Sequence, residues 1–156
     1  GYQADSDAVI DFMPVPEQGR VDNITLEVDK WRALGNNYEL RQQRGGASGG
    51  TNKELHARQR AINQGEENLY AQIETLYQDA LASRTAWQGA CTAQAAREAE
   101  WKAASHKMEL GMLSRQEYME AKAAYLDGVA AKAQADVNFQ QAMDTYDWAV
   151  KGLTGI

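Results

Sequence analysis

From Glu17 to Ile156 the chain contains no proline; its two prolines are Pro14 and Pro16. A stretch of that length without the residue that breaks helices leaves long, uninterrupted helices open to it. Ala, Gln, Glu, Lys and Arg, among the better helix formers, together make up nearly half of that stretch. Much of the 44% hydrophobic content is alanine and large aliphatic residues are sparse, so long thin helical contacts are expected rather than a thick core. At 156 residues the chain is one domain's worth.

The pattern divides the chain. Residues 1–21 hold both prolines, lack a period and read as an irregular arm, with Val9, Ile10, Phe12, Met13 and Val15 apolar enough to pack on something. A first helix is predicted over 22–44, passing Trp31 and Leu40 and loosened at Gly35, Asn36 and Asn37. Residues 45–50, Gly-Gly-Ala-Ser-Gly-Gly, are a flexible linker by composition, either inserted in place of a natural segment or a native Gly-rich loop. A long helix is predicted over 51–110. Thr51 and Glu54 frame a capping box at its start. Leu55, Ile62, Leu69 and Leu76 then recur every seven residues, with Ile73, Ala80 and Trp87 on the same seam. Such a helix would be on the order of 90 Å long.

The turn at 109–114 is the sharpest local signal. Gly111 suits the left-handed conformation that ends a helix. Ser114 and Glu117 frame a second capping box, with Leu113 and Tyr118 placed for a hydrophobic staple. A last helix follows over 114–152, and so short a turn makes it run antiparallel to the long one. It carries two apolar stripes, one through Tyr118, Ala121, Tyr125, Ala135, Phe139, Ala142 and Tyr146, the other through Met119, Leu126, Val129, Ala133, Met143 and Val150. Two stripes imply neighbours on two sides. The first and last helices together nearly match the long one, so they are expected to lie end to end beside it as one broken partner. The fold class expected is all-α: a long, antiparallel, coiled-coil-like helical hairpin, one long helix packed against two shorter ones.

The sequence excludes several function classes. A net charge of −6 with no Lys/Arg cluster argues against a nucleic-acid or anionic-membrane surface. The lone Cys91, in an alanine run, reads as a small buried residue and allows no intrachain disulfide. No apolar run approaches the roughly 20 residues that span a bilayer, and no signal peptide is legible; a secreted chain beginning after its cleavage site would read the same way. His56 and His106 lie too far apart on one helix to share a metal, and read as exposed positions. No HExxH, CxxC, P-loop or GxSxG occurs, and pairs such as Glu66 and Glu67 read as solvated helix faces. The aromatics Trp87, Trp101, Tyr118, Tyr125 and Tyr146 read as seam packing. The expectation is a non-enzyme without cofactor or metal.

These features resemble the TolC-like outer-membrane efflux channel family over about 24–153. Ile24-Thr25-Leu26-Glu27 followed by Ala33-Leu34-Gly35-Asn36-Asn37-Tyr38-Glu39-Leu40 is similar to that family's opening helix. Leu110-Gly111-Met112-Leu113-Ser114-Arg115-Gln116-Glu117-Tyr118, continued through Ala121, Ala124, Tyr125, Ala135, Ala142, Tyr146 and Gly152, is similar to the stretch that follows its hairpin tip. The resemblance implies one helical-barrel repeat, with the linker standing where membrane β-strands would be; a whole protomer of the family has two repeats. It implies a passive exit duct for efflux or type I export, placed in the cell envelope across periplasm and outer membrane. The implied partners are a periplasmic adaptor protein, an inner-membrane transporter and two further copies in a homotrimer, with no nucleic acid. Gly111, Met112, Leu113 and Ser114 would be the tip that meets the adaptor. Glu117 and Glu120 would be acids ringing the pore constriction, although as residues of a first helical turn they also read as capping groups. Two alternatives stay open: the hairpin of a periplasmic adaptor, whose flanking Val/Gly/Pro-rich segments are missing here, and a generic structural coiled coil.

Overall fold

A computed structural model of the chain describes residues 16–17, 19–46 and 49–153. Among them every regular element is helical: α1 (Gly19–Asp22), α2 (Leu26–Asn36), α3 (Tyr38–Gly45), α4 (Asn52–Glu109) and α5 (Arg115–Val150). The fold is an all-α helical hairpin in which α4, 58 residues long, packs against α5. Both capping boxes form: Thr51 and Glu54 close the start of α4, and Ser114 and Glu117 close the start of α5.

Ring contacts fix the direction of the hairpin. Tyr77 meets Tyr146 at 6.3 Å, Trp87 meets Phe139 at 5.9 Å, and Trp101 stacks on Tyr125 at 4.8 Å, so the α5 number falls as the α4 number rises. The N-terminal helices also run against α4. Arg84 pairs with Asp22, Lys30 with Glu74 at 3.4 Å, and Arg44 with Glu66 at 2.5 Å.

The two shorter runs overlap instead of simply abutting. Arg20 on α1 pairs with Asp144 and Asp147 on α5, Tyr146 reaches Asp29 on α2, and the Asn36 amide donates to the Val150 carbonyl at 2.9 Å. For that length three helices lie abreast, and α3 then continues along α4 past the end of α5. Two core clusters result. One joins Ala33, Leu34, Leu40, Leu69, Ile73, Tyr146 and Ala149; the other joins Val21, Ala80, Trp87, Phe139 and Met143.

Several expectations change. The helix predicted over 22–44 is two helices entered through a separate turn. Asn37 leaves the helical region at ψ 114° and its buried side chain accepts the Leu40 N–H at 2.9 Å, capping α3. A side chain that satisfies an orphan donor in this way favours a break over a continuous helix. Within the supposed arm, Gly19–Asp22 is helical and Val21 is buried in the core. Val9, Ile10, Phe12, Met13 and Val15 lie outside the described residues. Of the linker, Gly45 ends α3, Gly46 is extended and Gly50 has φ +144°. The heptad seam is buried at Ile62, Leu69, Ile73, Ala80 and Trp87, while Leu55 is exposed.

Candidate functional site

The hairpin end opposite the three-helix section is the region the sequence singles out. Gly111 has φ +69°, the left-handed region, and the Met112 N–H bonds the Lys107 carbonyl at 2.8 Å while the Gly111 N–H bonds the Met108 carbonyl at 3.0 Å. This pair of bonds is a Schellman motif, which satisfies the last carbonyls of α4 and turns the chain within a few residues. Gly111, Met112 and Ser114 are exposed and Leu113 is half-buried. Met112 is 74% exposed, and Leu110 beside it 68%. Leu113 and Tyr118, expected as a staple, are each half-buried.

Glu117 projects from the first turn of α5 and Glu120 from the second, and both are exposed. Glu117 accepts from the Ser114 N–H at 2.9 Å and the Ser114 hydroxyl at 2.6 Å, and the hydroxyl accepts from the Glu117 N–H at 3.2 Å. The bonds from Ser114 hold the Glu117 carboxyl below the usual carboxylate range. Glu120 accepts from Gln116 at 3.0 Å. In a single copy, then, Glu117 completes a cap and Glu120 faces solvent.

A second surface runs up from the tip. The stripe of α5 that meets α4 is covered, with Phe139 and Tyr146 fully buried, Gly128 buried, and Tyr118, Ala121, Tyr125, Ala135 and Ala142 half-buried. On the other stripe, α1 and α2 cover Met143 and leave Val150 half-buried, while Met119, Leu126, Val129 and Ala133 stay exposed. The N-terminal helices thus complete only the upper third of the stripe.

His56 and His106 are exposed positions on α4, and Cys91 is half-buried. A recess of about 370 Å³ between α1, α2 and the end of α5 is lined by Arg20, Asp29, Arg32, Tyr146 and Asp147 among others. Most of its charges are paired, Arg20 with Asp144 and Asp147, and Arg32 with Asp29 at 3.1 Å, while Lys151 also lines it. No helix among the described residues is long and apolar enough to cross a membrane.

Sequence reasoning missed the polar ties between helices. The Tyr146 hydroxyl donates to Asp29 at 3.1 Å in a buried position, and the Trp87 indole N–H donates to Asp136 at 2.5 Å, with Lys132 on the same carboxylate at 2.8 Å. Only the Lys132–Asp136 spacing of four residues was a readable signal. The Trp101 N–H, by contrast, is buried with no acceptor among the described residues. The chain matches no family model, no curated protein and no solved structure.

Proposed function

We propose that this chain is a periplasmic helical-barrel segment of a TolC-like channel-tunnel protein, a passive exit duct of the cell envelope. What carries the reading is the layout of the helices. Two shorter runs, α2–α3 and α5, both lie antiparallel to one very long α4, and α5 presents a bare apolar stripe directly away from its partner. A closed two-helix hairpin needs no second stripe; a stave in a wall of helices does. The tip fits the same reading, since Met112 and Leu110 offer adaptable apolar contact at the end of a rigid hairpin. The adaptor protein is the partner proposed for that tip, with Glu117 and Glu120 as cation-binding carboxylates near the entrance.

The test is cross-linking of the tip to a periplasmic adaptor in a bacterial envelope. Met112→Asp and Gly111→Trp should each abolish the cross-link while far-ultraviolet circular dichroism stays helical. A cross-link that persists in both refutes the tip assignment. In a full-length channel, replacing Glu117 and Glu120 with Gln should alter conductance or cation block; unchanged currents would refute the role of those acids.

A further inference from the structure

One side of the hairpin is covered only part of the way to the tip. On that side of α5, Met143 packs with Val21, Asp136 seven residues earlier receives the Trp87 N–H, and Val129 seven earlier again is exposed. On α4 Arg84 pairs with Asp22, and Leu81 and Cys91 pack on the cluster that holds Val21. Residues seven apart keep one face toward a paired helix. Glu98 is therefore in step with Arg84 and Cys91, and the exposed Ala95 with Leu81. A groove results that runs from Val21 toward the tip, with Val129 on one wall and Cys91 and Ala95 on the other. It ends in an open recess of about 380 Å³ lined by Trp101, Lys102, Ser105, His106 and Glu109.

The chain enters the fold at the covered end of this groove. The N-terminal helices come closer to the tip as their numbers fall, for Arg44 pairs with Glu66, Lys30 with Glu74 and Asp22 with Arg84. Pro16, the first described residue, is buried. Ahead of it, outside the described residues, stand Val9, Ile10, Phe12, Met13 and Val15. Seven residues, 9–15, can reach about 23 Å when extended. Asp136 to Lys122 along α5 is about 21 Å.

The charges agree with that direction. Residues 1–15 contain Asp5, Asp7 and Asp11 and no Lys or Arg. On the groove walls Lys132 pairs with Asp136 at 2.8 Å and Lys102 with Glu98 at 2.6 Å. Lys122, in step with Val129, is exposed and forms no ion pair among the described residues. His106 and Glu109, at the lower end, meet each other at 3.5 Å. Glu120 and Asp127 are in step with Gln141, which lines a recess on the other side of the hairpin, so neither faces the groove.

From the open groove and the point of entry we infer that residues 9–15 dock into this groove of their own chain, with Phe12 and Met13 against Val129 and Ala95 and with Asp11 toward Lys122. This goes beyond the wall proposed above. It covers the groove side of the bare stripe and leaves Met119, Leu126 and Ala133, in step with Gln140 and Asp147 further round α5, to a neighbour. It depends on neither the wall nor the tip.

Paired cysteines in a Cys91→Ala background test it. Phe12→Cys is combined either with Val129→Cys or with Ala131→Cys, which is exposed on the other side of the hairpin in step with Asn138 and Thr145. The full chain, dilute, is treated with a short bis-maleimide and its products are identified by mass. An undocked tether samples both sides at similar effective concentration, whereas docking should favour the Val129→Cys link by about tenfold or more. Adding Met13→Asp should bring that link down to the yield with Ala131→Cys. Comparable yields at the two sites overturn the inference, as do links that join two chains instead of closing within one. A Val129→Cys link indifferent to Met13→Asp overturns the apolar contact. Gly111→Trp should leave the link intact, so failure of the tip assignment and failure of this docking are read separately.

Discussion

Tyr146→Phe isolates one hydroxyl at the junction of α2, α4 and α5. The ring is 1% exposed, tilted against Tyr77 at 6.3 Å, and belongs to the core cluster with Leu34, Leu69 and Ile73. Phenylalanine keeps that packing and removes only the hydrogen bond to Asp29, 3.1 Å long and buried. Asp29 is itself 8% exposed and, among the described residues, retains only Arg32 as a side-chain partner, so a buried acceptor loses its inward donor. Hydrogen bonds to charged groups contribute about 1.5–3 kcal/mol, and that is the expected loss. The pH dependence gives a second reading of the same bond. Burial first, then the Asp29 charge and the hydrogen bond to it, push the Tyr146 phenol well above its ordinary value of 10.0. The folded chain therefore holds this proton more tightly than the unfolded one. The stabilisation is full below pH 10 and falls as pH rises beyond it. Urea unfolding followed at 222 nm, at neutral pH and again between pH 10 and 11, measures both effects. The variant should be less stable at neutral pH, and the gap to wild type should narrow in alkali. A neutral-pH difference below about 0.5 kcal/mol, against the net worth of such bonds, or a gap that widens in alkali, would refute the buried-bond account.

Four further outcomes follow from local geometry. Trp87→Phe should cost about 1–3 kcal/mol, because it strips a donor from the largely covered Asp136 carboxylate, while Trp101→Phe should be close to neutral, since its buried N–H has no acceptor to lose; urea midpoints of the two variants decide it. Gly152→Ala should destabilise more than Gly111→Ala. Both glycines have φ near +70°, but a Cβ at 152 would lie 2.7 Å from the Asn36 carbonyl oxygen and one at 111 meets nothing within 4 Å; only the backbone cost of about 1–2 kcal/mol is common to both. Ser114→Ala should lower stability by about 1 kcal/mol. Glu117, whose carboxyl is held low by Ser114, contributes stability above its unfolded value that is lost as pH falls, so Glu117→Gln should flatten the acid side of the stability curve.

What was readable in the sequence is what local chemistry sets. Capping boxes and a glycine stop are complete within four or five residues, so both ends of α4 and the start of α5 could be placed from side chains alone. The seven-residue repeat located the seam, but burial along it depends on a partner being there. Leu55 keeps the repeat and is exposed, whereas Val21, in a segment without any repeat, is buried by Trp87 and Phe139. The Asn37 break was half legible: Gly35-Asn36-Asn37 looks loose, but only the Asn37 side chain's bond to Leu40 shows which residue leaves the helix. The ties of Tyr146 to Asp29 and of Trp87 to Asp136 span 117 and 49 residues and have no local signature. As for the tip acids, their place at the helix start offered a cap and the family resemblance a pore ring; in a single copy Glu117 closes the cap and Glu120 is exposed.

Stability along this molecule is uneven in a way that bears on the neighbour proposed for the bare stripe of α5. Toward the tip from Trp87, Ala104 is the buried residue on α4, and before Phe139, Gly128 is the buried residue on α5. Neither has a side chain of any size, so about 33 Å of hairpin, at 1.5 Å per residue, is held mainly by half-buried seams such as Trp101 on Tyr125. Long paired helices with little buried area open locally at low free energy. Amides between Trp87 and Phe139 should therefore exchange with deuterium well before those of Leu69, Ile73 and Tyr146, which open only with the whole fold. The bare stripe through Met119, Leu126, Val129 and Ala133 lies within this same weak stretch. If a second copy covers it, protection there should rise with protein concentration while protection around Leu69 and Tyr146 stays constant. Uniform protection at every concentration would mean that the tip half is stable on its own, and the case for a neighbour on its bare face would fall with it.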